Sequence, residues 1–342
     1  MLEASAKRAA NSYIFLFLLF MKPAIATVRP ARKLLTSTDY DVIIVGAGSA
    51  GLSAALVLGR SMRRVLVCDA GGPRNATSPA VQGFLTRDCT APEELLRIGR
   101  SQLTSYDSVE VRELRVTAIT KEDGHFRVEA DTDTSRTTVA TARKVILATG
   151  VEDELPPLDG MREFWGRGVL HCPYCHGWEV RNQPLAVYGR GKTVTGLALL
   201  VSRWSSHITV CTDGPGHLTD NARRRLRQQG IAVREEPVRR LVGKPDGMLR
   251  CVQFEEGEPL ECHALFLHAP QHQRAPFAEQ LGCRFTSKGA VWVDKKQQTS
   301  VAGIYAAGDL TPGQQQAIMA AAEGSKVGIV INEQLTREEC PK

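Results

Sequence analysis

Asp41-Val42-Ile43-Ile44-Val45-Gly46-Ala47-Gly48-Ser49-Ala50-Gly51 joins a run of β-branched residues directly to a glycine-spaced turn. Four consecutive apolar β-branched residues read as a parallel strand covered on both faces. The turn Gly46-x-Gly48-x-x-Gly51 gives each glycine a separate task. The first permits a tight turn, the second lets backbone approach a pyrophosphate, and the third lets helix and strand pack closely. An apolar-rich helix follows to about Gly59. Its start, around Ser49 and Ala50, offers N–H groups and a positive dipole end to phosphates. A second strand, Val65-Leu66-Val67-Cys68, ends at Asp69, where a carboxylate can accept from a ribose hydroxyl. The expectation is a dinucleotide site; the plain alternative is a glycine-rich turn that binds nothing.

The 342 residues allow about two domains. The net charge is +6, but Lys7, Arg8, Lys22, Arg29, Arg32 and Lys33 face only Glu3 in the first 36 residues, so the rest of the chain is nearly neutral. Nucleic acid is therefore not an expected partner. The nine cysteines are odd in number and mostly scattered, unlike a secreted disulfide scaffold, and the lone ones read as small apolar residues. Basic residues, an apolar run over 13–21 and Ala24-Ile25-Ala26 fit a secretory signal peptide. Residues 1–37 are accordingly an amino-terminal extension or a signal peptide. The body is expected to be soluble, and cytoplasmic unless residues 1–26 act as that signal. In the secretory path Asn75-Ala76-Thr77 would be a glycosylation sequon.

Residues 109–149 alternate as a β-rich meander that closes on Ala148-Thr149-Gly150, and Leu155-Pro156-Pro157 marks a linker. A second strand–turn–helix unit starts at Leu185, with Gly189-Arg190-Gly191, a helix to about Trp204 and a strand from His207 to Cys211. Its third glycine position is Val194, whose bulk is expected to hold the helix off the strand. A P-loop reading fails because Ala186 stands where a glycine is required. The strand leads into Thr212-Asp213-Gly214 with no arginine pair for a 2′-phosphate. Arg223, Arg224 and Arg225 read as a solvated helix face. The second unit has the shape of a nicotinamide domain without its recognition chemistry. The last strand, near Gly303, is followed by a helix expected from about Gln314 to Leu335.

His171-Cys172-Pro173-Tyr174-Cys175-His176 lies between the two units. Two thiols at this spacing can close a reversible disulfide. A zinc knuckle would need a second pair, and Cys262-His263 has the wrong spacing; chance packing is the other alternative. His171 or His176 can lower a thiol pKa as an imidazolium, carry a proton, or cap a turn.

Together, Gly46 to Gly51, Ala148-Thr149-Gly150, Cys172-Pro173-Tyr174-Cys175 and Gly303-Ile304-Tyr305-Ala306-Ala307-Gly308-Asp309 resemble the low-molecular-weight thioredoxin reductase family, the class II pyridine nucleotide-disulfide oxidoreductases. That resemblance implies an α/β fold of two Rossmann-like three-layer nucleotide-binding domains. An FAD domain, 38–155 and 288–342, is split by an inserted NAD(P)-type domain, 156–287, that carries the dithiol. It also implies a homodimer. FAD is then the cofactor, held by Gly46, Gly48, Ser49, Ala50, Gly51, Asp69, Asn75, Ala148, Thr149, Gly150, Gly308, Asp309, Gln315 and Gln316. Asp309 would meet the ribityl chain, and Gln315 and Gln316 the isoalloxazine ring.

Pro73-Arg74-Asn75, Gly83-Phe84-Leu85-Thr86-Arg87-Asp88 and the run 171–177 are similar to thioredoxin-reductase-like fungal dithiol oxidases of the gliotoxin type. Those lack the arginine motif for NADPH, as this chain does, and use a histidine from the far end of the central domain. His268 and His272 compete for that place, and His272 is taken with Cys172, Cys175 and His171 as the catalytic set. No metal is called for. The expected reaction is oxidation of a small-molecule dithiol in secondary metabolism. The substrate thiolate attacks Cys172, Cys175 serves the flavin side, His171 assists deprotonation, and oxygen leaves as hydrogen peroxide. The alternatives are an NADPH-dependent thioredoxin reductase, with thioredoxin as partner, and a non-catalytic flavin-binding scaffold.

Overall fold

A computed structural model of the protein describes residues 39–131 and 137–340. The amino-terminal segment read as an extension or signal lies outside them. In chain order come β1 (Tyr40–Val45), α1 (Ser49–Arg60), β2 (Val65–Asp69), α2 (Pro92–Leu103), β3 (Val109–Glu113), β4 (Arg115–Glu122), β5 (His125–Asp131), β6 (Thr137–Leu147), β7 (Val151–Asp153), β8 (Val169–Leu170), α3 (Pro173–His176) and β9 (Leu185–Tyr188). There follow α4 (Gly191–Val201), β10 (Ile208–Cys211), α5 (Asp220–Gln228), β11 (Ala232–Arg234), β12 (Val238–Gly243), β13 (Leu249–Phe254), β14 (Leu260–Glu261), β15 (Ala264–Leu267), β16 (Gln271–Gln273), α6 (Phe277–Gln280), β17 (Ile304–Ala306) and α7 (Ala317–Glu339). Among the described residues no helix is long and apolar enough to cross a membrane.

Two parallel sheets dominate, each joined to an antiparallel meander. In the first, β3, β2, β1, β6 and β17 pair side by side, all parallel. β6 is long enough to serve two layers: its first half pairs antiparallel with β5, and Val145–Leu147 pair with β17. The second sheet runs β11-β10-β9-β15-β8, all parallel, with β12-β13-β14 as its meander. Strand alternation decides what each sheet face buries. Val42, Ile44, Val67 and Ile146 pack with α1 and α7, whereas Ile43, Val45, Leu66 and Leu147 pack with Val128 and Ile119 of the meander. The second sheet repeats this: Leu185 and Val187 meet Val194 and Ala198, while Ala186 and Leu265 meet Leu241 and Val252. The result is two Rossmann-like three-layer units. Between their sheets the chain passes out through β7 and back through β16, which pair with each other antiparallel.

The first layer depends on helices approaching without side chains between them. A β-carbon at Gly51 would overlap the Gly46 carbonyl oxygen, and one at Gly324 would overlap the Ala50 carbonyl oxygen. Gly46 itself has φ +106°, a region favouring glycine. α7 starts later and ends later than the sequence indicates. Pro312-Gly313 keep the preceding stretch out of the helix, and the acidic end is retained because Glu338 and Glu339 pair with Arg143, Lys144 and Arg63. Five lone cysteines are buried and pack as small apolar groups; Cys89 and Cys340 are exposed.

Two alanine substitutions test this packing with opposite signs. Gly324→Ala should cost about 1–3 kcal/mol by overpacking against the α1 backbone. Gly196→Ala, in α4 with open space at its β-carbon, should gain about 0.5–1 kcal/mol from helix propensity. Denaturant unfolding of the two variants measures both; equal effects would contradict the packing.

Candidate functional site

Every site residue expected from sequence except Gly51, Cys172 and His272 borders one cavity of about 460 Å³. Its floor is the β1–α1 turn. Gly48 has open space where a β-carbon would stand, and so does Gly150 (φ +71°), so backbone is bare at both points. Gly51 lies beneath, against the turn. Asp69 accepts from the Ala47 N–H at 3.3 Å and pairs with Arg100. The adjoining wall is the start of α7 with Gln315, Gln316 and the Gly308-Asp309 turn, which packs against Ala50. Glu323 holds that turn by accepting from the Gly308 N–H at 2.8 Å and the Thr311 hydroxyl at 2.9 Å. A bare glycine cradle, an acid at the end of β2 and two helix starts on one cavity fit a dinucleotide carrying phosphates at one end.

The other end is the dithiol. Cys172 and Cys175 are joined as a disulfide, and the Cys175 N–H donates to Cys172 Sγ at 3.1 Å as α3 begins. Cys175 borders the cavity and Cys172 does not. His171 and His176 border it too, and His171 stacks on Trp165 with ring centroids 5.4 Å apart. Burial, reinforced by the Arg74 guanidinium, pulls the His171 imidazole down to about 4; Asp153 opposes this, and His176 and His268 add to it. Burial alone pulls His176 down to about 4. Both rings are therefore neutral near pH 7. This removes the imidazolium considered from sequence and leaves two proton acceptors beside the disulfide.

His272 does not join this site. In β16, Gln271 and Gln273 turn inward, to Asp153 and to the Gly289 and Leu310 carbonyls, so strand alternation turns His272 outward. It is exposed and lies 3.0 Å from Glu154. His268, just after β15, is the one within electrostatic reach of His171. Sequence reasoning missed the roles of Trp165, Asp153 and Gln271, which carry no motif, and quoted Arg74 only as part of a signature.

The second glycine turn is built differently. Val194 does not hold α4 away: it is buried and would sit 3.5 Å from a β-carbon at Gly189. The Gly191 N–H at the start of α4 donates to the Gly216 carbonyl at 2.8 Å. The loop supplying that carbonyl is tied down. Asp213 (φ +51°) accepts from the Tyr188 hydroxyl and the Val238 N–H, both at 2.8 Å, and Glu235 accepts from the Gly216 N–H at 3.0 Å. Arg190 donates to the Thr212 carbonyl at 2.8 Å and to the Asp213 carbonyl. Arg223 pairs with Glu235 while Arg224 and Arg225 are exposed.

Comparison with known proteins places this geometry among relatives. The profile of the pyridine nucleotide-disulphide oxidoreductases matches residues 40–324. Thioredoxin reductase sirT of Leptosphaeria maculans is 31% identical over 317 residues, spanning 86% of this chain and 93% of that protein. Thioredoxin reductase tcpT of Claviceps purpurea is 33% identical over 284 residues, spanning 80% and 87%. The crystal structure of HlmI superposes with a TM-score of 0.81 at 37% identity, covering 88% of this chain and 93% of that one.

The neutral histidines have a consequence for stability. Each ionises near 6.5 when unfolded and only near 4 in the fold, so the unfolded chain binds more protons between those values. Their contribution is complete above about pH 6.5 and is lost as pH falls through about 4. Comparing unfolding at about pH 7.5 and about pH 5, His171→Gln and His176→Gln should each reduce the acid loss by roughly 1–2 kcal/mol. An unchanged loss would mean that the rings are charged in the fold.

Proposed function

The chain belongs to the pyridine nucleotide-disulphide oxidoreductase family, as a thioredoxin-reductase-like flavin-dependent disulfide oxidoreductase, and from that membership we propose that it is a dithiol oxidase that closes a disulfide in a small molecule. FAD is its cofactor. We assign Gly46, Gly48, Ser49, Ala50, Asp69, Asn75, Ala148 to Gly150, Gly308, Asp309, Gln315 and Gln316 to holding it, because they border the cavity whose other end is Cys175, with Gly51 packed beneath the turn. When bound, FAD would supply a two-electron acceptor for the reduced dithiol, with oxygen as the final oxidant and hydrogen peroxide as its product.

The chain's own residues do the rest. A substrate thiolate attacks Cys172 Sγ; the S–S bond breaks and Cys175 leaves as a thiolate on the cavity side. The second substrate thiol, losing its proton, attacks the sulfur attached to Cys172. The substrate disulfide closes and Cys172 is released. His171, neutral and fixed against Trp165, accepts a substrate proton. The domain limits expected from sequence, 38–155 with 288–342 and 156–287, stand as proposals; the ribbon β7–β16 and the packing of Phe277, Ala278 and Cys283 in the first unit's core favour a return near residue 274 instead of 288, and a homodimer follows from the family resemblance.

The observation that carries the oxidase reading is the occupied start of α4. A nicotinamide dinucleotide seated there would have to displace the Gly216 carbonyl from the Gly191 N–H. An acid at the end of the second strand, here Asp213, suits a ribose hydroxyl and repels a 2′-phosphate. The relatives' names favour a second reading, an NADPH-driven thioredoxin reductase.

Anaerobic absorbance of the flavin separates the two. A small dithiol should bleach it, NADPH should not, and peroxide should appear on admitting air. Bleaching by NADPH within the same time would replace the oxidase with the reductase.

A further inference from the structure

Pro73-Arg74-Asn75 is far in sequence from both the ribbon β7–β16 and α7, yet its arginine bonds β7 and the stretch that leads into α7. Arg74 Nε and Nη2 donate to the two oxygens of Asp153, each at 2.6 Å. Arg74 Nη1 donates to Asp309 Oδ2 at 3.0 Å and to Gln315 Oε1 at 2.8 Å. Gln271 closes the ring. Its amide nitrogen donates to Asp153 at 3.1 Å and to Gln315 at 2.9 Å, and its oxygen accepts from Gln315 at 2.7 Å. Asp153 and Gln271 are register partners in the ribbon β7–β16. Asp309 and Gln315, just before α7, line the cavity.

We propose that Arg74 is a positioning residue whose single guanidinium locks the ribbon leading to the dithiol unit onto the flavin-binding wall and so sets how Cys175 faces the cavity. The ribbon is where the chain crosses between the two sheets, and such crossings are where units turn against each other. A planar fork with two fixed bonds to one carboxylate and one to another restrains direction as well as distance. Side-chain exposure is 14% for Arg74 and 4% for Asp153, so the lock is largely shielded from water and salt. Burial pushes the Asp153 carboxyl up, and the hydrogen bond and charge of Arg74 more than reverse it. The same loop touches the dithiol unit once more: a β-carbon at Gly166 would overlap Thr77 Oγ1. Removing Arg74 would leave two carboxylates facing each other across the ring, which is costlier than removing one of them with it.

The inference rests on the flavin–dithiol reading for its consequence but not for its geometry, and the test treats them separately. Asp153→Asn leaves Arg74 on Asp309 and Gln315 while weakening its hold on the ribbon. In flavin-loaded protein, amide hydrogen exchange over residues 151–154 and 271–273 should speed up roughly tenfold or more in Asp153→Asn and in Arg74→Met. Anaerobic flavin reduction by excess dithiothreitol should slow roughly tenfold in both, while dithiothreitol opens the Cys172–Cys175 disulfide at the wild-type rate. The double variant should be no slower than the worse single one, because both remove one interaction. Wild-type exchange in Asp153→Asn overturns the proposal, even if Arg74→Met fails to fold or to keep FAD. Wild-type protein that dithiothreitol does not reduce would sink the dithiol reading instead, leaving the exchange result to decide the lock.

Discussion

The closeness of backbone to backbone at the β1–α1 turn is the constraint on which the site depends. Gly51 sits against the Gly46 carbonyl and Gly324 against the Ala50 carbonyl, with no side chain between. That contact seats α7 on α1, so the start of α7 and the Gly308-Asp309 turn reach the same cavity as the glycine turn. Glu323, one residue before Gly324, then fixes the turn through the Gly308 N–H. A bulkier residue at 51 or 324 would part these walls before altering any group in the cavity.

The disulfide is placed so that its two sulfurs face different surroundings. Cys175 borders the cavity and Cys172 does not, which suits the proposed division of a cofactor-side and a substrate-side thiol. Neutral histidines suit this arrangement. A buried imidazole keeps a nitrogen free to accept a proton, although the burial that holds it near 4 also makes it a weak base. The two nucleotide-type units keep one plan but differ at the turn, where the loop 212–217 sets the Gly216 carbonyl on the Gly191 N–H.

Legibility of the sequence followed the range of the forces. Gly46, Gly48 and Gly51 were readable because backbone sterics act within a few residues, and the strands because burial repeats every second residue. The dithiol was readable because its partners are three residues apart. Arg74 was visible as a motif but not as a lock, since Asp153, Gln271 and Asp309 are separated from it by long stretches of chain. Val194 misled because its bulk faces a glycine that leaves room for it. The choice between His268 and His272 turned on which face of the short strand β16 His272 takes, opposite the inward-bonding Gln271 and Gln273, and no local pattern fixes that. The histidines' charge was not legible either, because it depends on burial at both rings and, at His171, on Arg74 and Asp153.

The central claim is that Cys172 serves the substrate and Cys175 the cavity. The direct measurement is the rate at which a small aromatic disulfide reacts with each thiol when the other is serine, followed by peptide mass spectrometry in a background where Cys89 and Cys340 are also serine. The account predicts that Cys172 in Cys175→Ser forms the mixed disulfide roughly tenfold or more faster than Cys175 does in Cys172→Ser. Equal rates, or faster reaction at Cys175, would contradict it.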